Sequence, residues 1–184
     1  MPTVWVRSFL LIVCAVSVLN LHKLTMKKLL LAALAGLAFS CRSGNHFEAE
    51  SPMPAITMML PDSSIYKTDQ IVEGRYTVIM YFRTDCNHCQ QETADILKNS
   101  AALGTLNFIL LTPKPLKDLR QYAAFFKLAD YSNITAATDN KLEFMRYYRP
   151  TNVPYLVVYD KRKKLFRICE GPLPIDSLKA LVKM

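Results

Sequence analysis

The sequence predicts an α/β protein: a three-layer fold in which helices flank a mixed central sheet, with a β-hairpin added at the N-terminal end. Three observations carry this. Residues 76–82 and 106–111 are continuous apolar runs rich in β-formers, the pattern of strands buried on both faces. Segments with helical spacing separate the early strands, which calls for crossovers and parallel neighbours. Residues 155–159 and 165–169 are two further apolar runs joined by a short polar turn, and these pair antiparallel.

Each element has a local reason. Ile56 to Leu60 is apolar and bounded by Pro54 and Pro61. Pro61-Asp62-Ser63-Ser64 is turn chemistry, and Ile65-Tyr66 resumes an extended pattern, so a hairpin is expected here. After the strand Tyr76 to Phe82, Asp85-Cys86 opens a helix running through Lys98, with Ala94, Ile96 and Leu97 as apolar positions. Leu106 to Leu111 is the next strand, ended by Pro113 and Pro115. Leu116, Leu119, Tyr122, Ala123 and Phe126 fall near helical spacing and predict a helix from Leu116 to Leu128. Ile134 to Ala137 is a short strand. Asn140 to Tyr148 is a helix stopped by Pro150, and Pro174 to Val182 is a terminal helix with Pro in its first turn.

The net charge of +8 overstates the basicity of the folded part. Arg7, Lys23, Lys27 and Lys28 precede Cys41 and no acidic residue does, so removing that leader lowers the charge to +4. No basic stripe is interleaved with aromatics, so nucleic acid is not an expected partner. The run Lys161-Arg162-Lys163-Lys164 sits in a predicted hairpin turn and reads as a solvated face.

Met26-Lys27-Lys28, an apolar run from Leu29 to Phe39, and Ser40-Cys41 describe a secretory signal. Residues 1–40 are therefore expected to be a leader, with Met26 as its true start. Residues 41–54 form a flexible tether and residues 55–184 the domain. The Cys after a small residue resembles the lipobox of bacterial lipoproteins, in which that Cys, here Cys41, is acylated. An extracytoplasmic protein, lipid-anchored or secreted, is the expectation. Of five cysteines, Cys14 lies in the leader and Cys169 reads as a small buried apolar residue.

Cys86 and Cys89 carry the chemistry. Their spacing puts both sulfurs on one side of a helix's first turn, close enough to close a small ring. Unpaired N–H groups and the positive dipole end favour a thiolate there. Cys86 is thus expected to be the nucleophile and Cys89 the resolving thiol. A lone C-x-x-C can be half a zinc site, but no second pair exists, and His22 and His46 fall in the leader and tether. A purely structural disulfide closing so short a loop gains little. No metal or organic cofactor is expected.

These residues resemble the thioredoxin superfamily and, within it, the membrane-linked reductases related to TlpA and ResA. The strand Val78 to Phe82 leads into the pair, and Cys86-x-x-Cys89-x-x-Glu92 matches the subfamily's C-x-x-C-x-x-E. Val153-Pro154 precedes the strand Tyr155 to Tyr159, where the fold places a cis-proline, and the hairpin Ile56 to Tyr66 matches the subfamily's N-terminal addition. The likeness spans Pro54 to Met184. It implies a thiol–disulfide oxidoreductase acting on protein thiols and disulfides, with electrons from a thiol donor protein. It also implies a substrate groove shaped by Pro154 and Val153, and a proton-transferring role for Glu92. Glu92 could instead be a solvated first-turn carboxylate. His88 is either an exposed helix residue or a group that favours thiolate at Cys86. A monomer is expected.

Two departures stand out. Asp85 replaces the family's usual Trp, and a carboxylate there should raise the Cys86 pKa. Tyr155 follows the proline where Thr is frequent, which should alter the groove. The rival readings are a copper chaperone of similar fold and a non-catalytic extracytoplasmic binding module. The first expects C-x-x-x-C and a later His, and no His follows His88. The second does not need an intact C-x-x-C. A peroxidase is only hinted at by Thr84-Asp85-Cys86.

Overall fold

A computed structural model of the chain describes residues 47–184. The expected leader with Met26, together with Cys14, His22, Cys41 and His46, lies outside the described residues. Along the chain run β1 (Thr57–Met59), β2 (Ile65–Lys67), β3 (Thr77–Tyr81), α1 (Asn87–Lys98), α2 (Ser100–Leu103) and β4 (Asn107–Thr112). Then come α3 (Leu116–Phe125), β5 (Ile134–Thr138), α4 (Glu143–Tyr148), β6 (Tyr155–Tyr159), β7 (Leu165–Glu170) and α5 (Ile175–Val182). Short 3-10 turns cover Thr68–Gln70 and Leu128–Asp130.

The strands form one seven-stranded sheet in the order β2-β1-β5-β4-β3-β6-β7. β3, β4 and β5 are mutually parallel, while the N-terminal hairpin and the β6–β7 hairpin are antiparallel. Alternation along β3 sends Val78 and Met80 to one face and Ile79 and Tyr81 to the other. The first face packs under α1, α3 and α5 through Ile96, Leu119 and Leu178. The second packs under α4 through Phe144 and Tyr148, joined by Ile56 and Met58 of the hairpin segment. All five residues of β3 are buried, which is why the run reads as continuously apolar. The predicted fold class holds.

The edges differ from expectation in instructive ways. The helix predicted to reach Leu128 ends at Phe125, because Lys127 turns left-handed (φ 51°) and a 3-10 turn follows. α4 begins at Glu143 rather than Asn140, because Leu142 is left-handed (φ 54°). Asp139, fully buried, sets that start. Its Oδ1 accepts the Glu143 N–H at 2.8 Å, and its Oδ2 accepts the Met145 N–H at 3.1 Å and the Tyr81 hydroxyl at 3.2 Å. The described part of the expected tether is packed rather than free. Phe47 stacks on Tyr147 and Tyr148 at 5.4 and 5.0 Å, and Glu50 and Met53 donate to the carbonyls of Leu165 and Lys163.

Replacing Asp139 by Ala leaves three donors without their acceptor, the buried Tyr81 hydroxyl among them. Urea denaturation is expected to show a loss of about 2–4 kcal/mol, with Asp139→Asn costing less. An unchanged midpoint would contradict the cap.

Candidate functional site

β3 delivers the chain to the C-terminal edge of the parallel strands, where crevices form in open α/β sheets. Phe82 extends the ladder by donating to the Leu111 carbonyl at 2.9 Å. A turn follows, closed by Cys86 N–H to Arg83 O at 3.2 Å and by the Gln90 side-chain amide to Thr84 O at 2.8 Å. Cys86 then occupies the N-cap of α1 with extended backbone (φ −100°, ψ 115°). Its sulfur accepts the Cys89 N–H at 3.3 Å, the bond a capping Ser or Asp oxygen would make. The Cys86 side chain thus holds the place where unpaired N–H groups converge.

Cys86 and Cys89 are free thiols whose sulfurs lie 2.7 Å apart, with Cys89 Sγ donating. Cys86 is half-buried, and Cys89 is fully buried. Burial raises the Cys89 pKa, and its bond to the Cys86 sulfur raises it further. The outer sulfur is therefore open to attack chemistry, while the inner one holds its proton.

Glu92 sits one turn below on α1 and is buried, with only 4% exposure. It is no solvated first-turn carboxylate. Desolvation pushes its pKa up to about 7, against the Leu173 N–H that its Oε1 accepts at 3.3 Å. Leu173 lies between β7 and α5, so the C-terminal part of the chain closes over this acid. His88 is exposed on the first turn of α1.

The Val153–Pro154 bond is cis. The Cys86 thiol lies 3.9 Å from the Val153 carbonyl, so the proline segment sits against the Cys86 sulfur. The Pro154 carbonyl is already taken by the Gly171 N–H at 2.8 Å. Gly171 has φ +91°, a conformation that L side chains rarely adopt. The backbone left to face a partner is that of Val153. Tyr155 is fully buried on the opposite core, against Phe144 and Tyr148, so its side chain does not shape the groove.

Asp85 does not stand alone either. Its carboxylate pairs with Arg83 at 3.0 Å and with Lys114 at 2.9 Å, and both hold its pKa well below the ordinary carboxylate value. Its charge reaches Cys86 together with two cations, so the opposing charge expected beside the thiol is offset. Lys114 was not singled out in the sequence, although its place just past β4 beside β3 puts it at the same sheet edge. Tyr122 of α3 was likewise read only as a core residue. Its buried hydroxyl pairs with Thr93 Oγ1 at 2.8 Å and donates to the Cys89 carbonyl at 3.4 Å. Cys169 is buried in the core beside Leu156. Among the described residues, no group of three His, Cys, Asp or Glu could hold a metal ion, and no helix is long and apolar enough to cross a membrane.

Strand order, crossover helices, the cis-proline strand and the helix-capping cysteine pair together define a thioredoxin-like fold. Solved structures agree. A secreted disulfide oxidoreductase of Mycobacterium tuberculosis, homologous to E. coli DsbE, superposes with TM-score 0.57 at 16% identity, covering 70% of this chain and 94% of that one. The thioredoxin domain of a Bacteroides vulgatus thiol-disulfide oxidoreductase gives 0.59 at 18% identity, over 74% and 96%. A peroxiredoxin-like protein of Aquifex aeolicus gives 0.62 at 14% identity, over 76% and 89%. Neither a protein-family model nor a curated protein matches the chain.

The state of Glu92 has a consequence for stability. The folded chain keeps this proton up to about pH 7, whereas the unfolded chain loses it near the ordinary value of 4.5. Stability should therefore fall as pH rises from about 4.5 to 7 and level off above. Glu92→Gln keeps an acceptor for Leu173 and removes the charge. Denaturant titrations of the reduced chain at pH 5 and 8 should show the wild-type difference shrink by about 2–3 kcal/mol in this variant. An equal pH dependence in both proteins would contradict the assignment.

Proposed function

We propose that the chain is an extracytoplasmic thiol–disulfide oxidoreductase that reduces disulfides of other proteins. One observation carries this reading: two free sulfurs 2.7 Å apart at a helix N-terminus, the outer accessible and the inner buried. Solved disulfide oxidoreductases that share the fold support the reading as analogues of fold.

Cys86 thiolate attacks one sulfur of a substrate disulfide. The substrate S–S bond breaks and a mixed disulfide forms. The released substrate thiolate takes a proton. Cys89 then loses its proton and attacks the Cys86 sulfur. The second substrate sulfur leaves, and the Cys86–Cys89 disulfide remains, two electrons having passed to the substrate. A thiol donor protein restores the dithiol by the same exchange in reverse.

Cys89 is the difficult thiol, because burial disfavours its anion. Glu92, three residues along and on the same face of α1, takes that proton in this reading, and a carboxyl poised near 7 suits the task. Val153 offers its backbone to an extended substrate segment, and Pro154 holds that segment beside Cys86. His88, exposed beside the pair, favours the Cys86 thiolate. Acylation at Cys41 would tether the domain to the outer side of a membrane, and a monomer would suffice for the reaction.

A trapping experiment tests the assignment of roles. Cys89→Ser should accumulate a mixed disulfide with an oxidised protein substrate, and Cys86→Ser should form none. Turnover should drop more than about 100-fold in both variants. Reduction by Cys86→Ser at a rate near wild type would overturn the reading.

A further inference from the structure

A cleft of about 610 Å³ opens between the turn that precedes Cys86 and α3, with Thr84, Asp85 and Gln90 on one side and Asp118, Gln121 and three aromatic residues of the α3 segment on the other. Asp85 and Gln90, which bracket the cysteine in sequence, form its near wall together with Lys114. Tyr122 and Phe126 line it from α3, and Phe125 stands at its edge with 77% of its surface exposed. Three rings meet in series here: Tyr122 tilted against Phe126 at 4.7 Å, and Phe126 edge-on to Phe125 at 4.9 Å. Phe82, the last residue before the reactive turn, continues the series at 4.7 Å from Tyr122.

The polar groups of this cleft are largely engaged with one another. Asp85 is held by Arg83 and Lys114, the Gln90 amide by the Thr84 carbonyl, and the Tyr122 hydroxyl by Thr93 and the Cys89 carbonyl. Asp118 and Gln121 add polar groups on the α3 side, and the apolar surface that the cleft offers is that of Phe125 and Phe126. An exposed Phe at the end of such a series is unfavourable in water and gains by being covered. Thr84 and Asp85, which precede Cys86 in the chain, line this mouth, so a polypeptide bound at Cys86 comes close to it. Val153 lies against the same sulfur and supplies backbone contact, which leaves side-chain recognition to the cleft.

We propose that the cleft of Tyr122, Phe125 and Phe126 seats a large apolar side chain next to the cysteine of the substrate polypeptide, and so selects disulfides flanked by Phe, Leu or similar residues. The inference rests on the thiol–disulfide reading and names the substrate class for it. The covalent step is unchanged: Cys86 thiolate displaces one substrate sulfur, and the apolar neighbour only positions that sulfur.

The test uses the full chain, fully reduced, and a pair of synthetic disulfide-looped peptides identical except for Phe or Ser beside one cysteine, placed on each side in turn. The rate constant for mixed-disulfide formation is read by mass spectrometry. Wild type should favour the Phe peptide about tenfold, in one of the two positions. Phe125→Ser alters an exposed residue, and should bring that ratio to within about twofold. Val72→Ser, at a residue equally exposed on the loop before β3, should retain the preference. Equal rates for both peptides in wild type, or a preference that survives Phe125→Ser, would overturn the cleft while leaving the redox reading intact. Failure of wild type to react with any of the peptides would overturn both.

Discussion

A helix start has more N–H donors than its own carbonyls can satisfy, and in this fold a sulfur takes the capping place. Cys86 ends the turn after β3, adopts extended backbone and accepts the Cys89 N–H. The arrangement depends on β3 being buried on both faces, since only a strand fixed between β4 and β6 sets the turn's origin firmly. It depends also on α1 packing through Cys89, Thr93 and Ile96, which aims the helix so that its first turn faces the segment before β6. The reactive pair is thus a product of sheet order. β3 lies between a parallel and an antiparallel neighbour, and the antiparallel one brings Val153 and Pro154 to the same edge.

From that placement the proton inventory follows. Cys89 sits inside the core and keeps its proton, and one turn below it a carboxyl is equally cut off from water. Burial disfavours both anions, and in the proposed reading a proton leaving Cys89 passes to Glu92. Around the mouth the balance differs. Arg83, Asp85 and Lys114 form an exposed ionic cluster, with an excess of one positive charge. The rim is thus cationic, while the two acids below it are held neutral by burial.

Much of this was legible in the amino-acid order. The buried strands declared themselves because residues covered on both faces are continuously apolar, and α1 because Cys86 and its followers lie after such a strand. The Val-Pro pair before β6 was legible by resemblance, and the cis bond is present. What could not be read was set by contacts across the chain. Asp139 reads as one more loop acid until Tyr81 and the α4 amides are seen to converge on it. Left-handed turns at Lys127 and Leu142 trim two helices, with no glycine to announce them. Asp85 looked like an adverse charge because Lys114, 29 residues away, is brought to it only by the β3–β4 pairing. Glu92 was open between two readings, and burial beneath Leu173 removes that of a solvated carboxylate.

The claim on which the whole account turns is that Cys86 and Cys89 form one reversible two-electron couple. Equilibrating the chain with mixtures of reduced and oxidised glutathione, followed by acid quenching and peptide mass mapping, measures this directly. The account predicts a single transition in which a disulfide joins the two sulfurs and no other cysteine changes state, with a midpoint between the thioredoxin value (about −270 mV) and the strongly oxidising limit (about −120 mV). Sulfurs that stay reduced across the whole range, or that pair with Cys169 or with another chain instead, would contradict it.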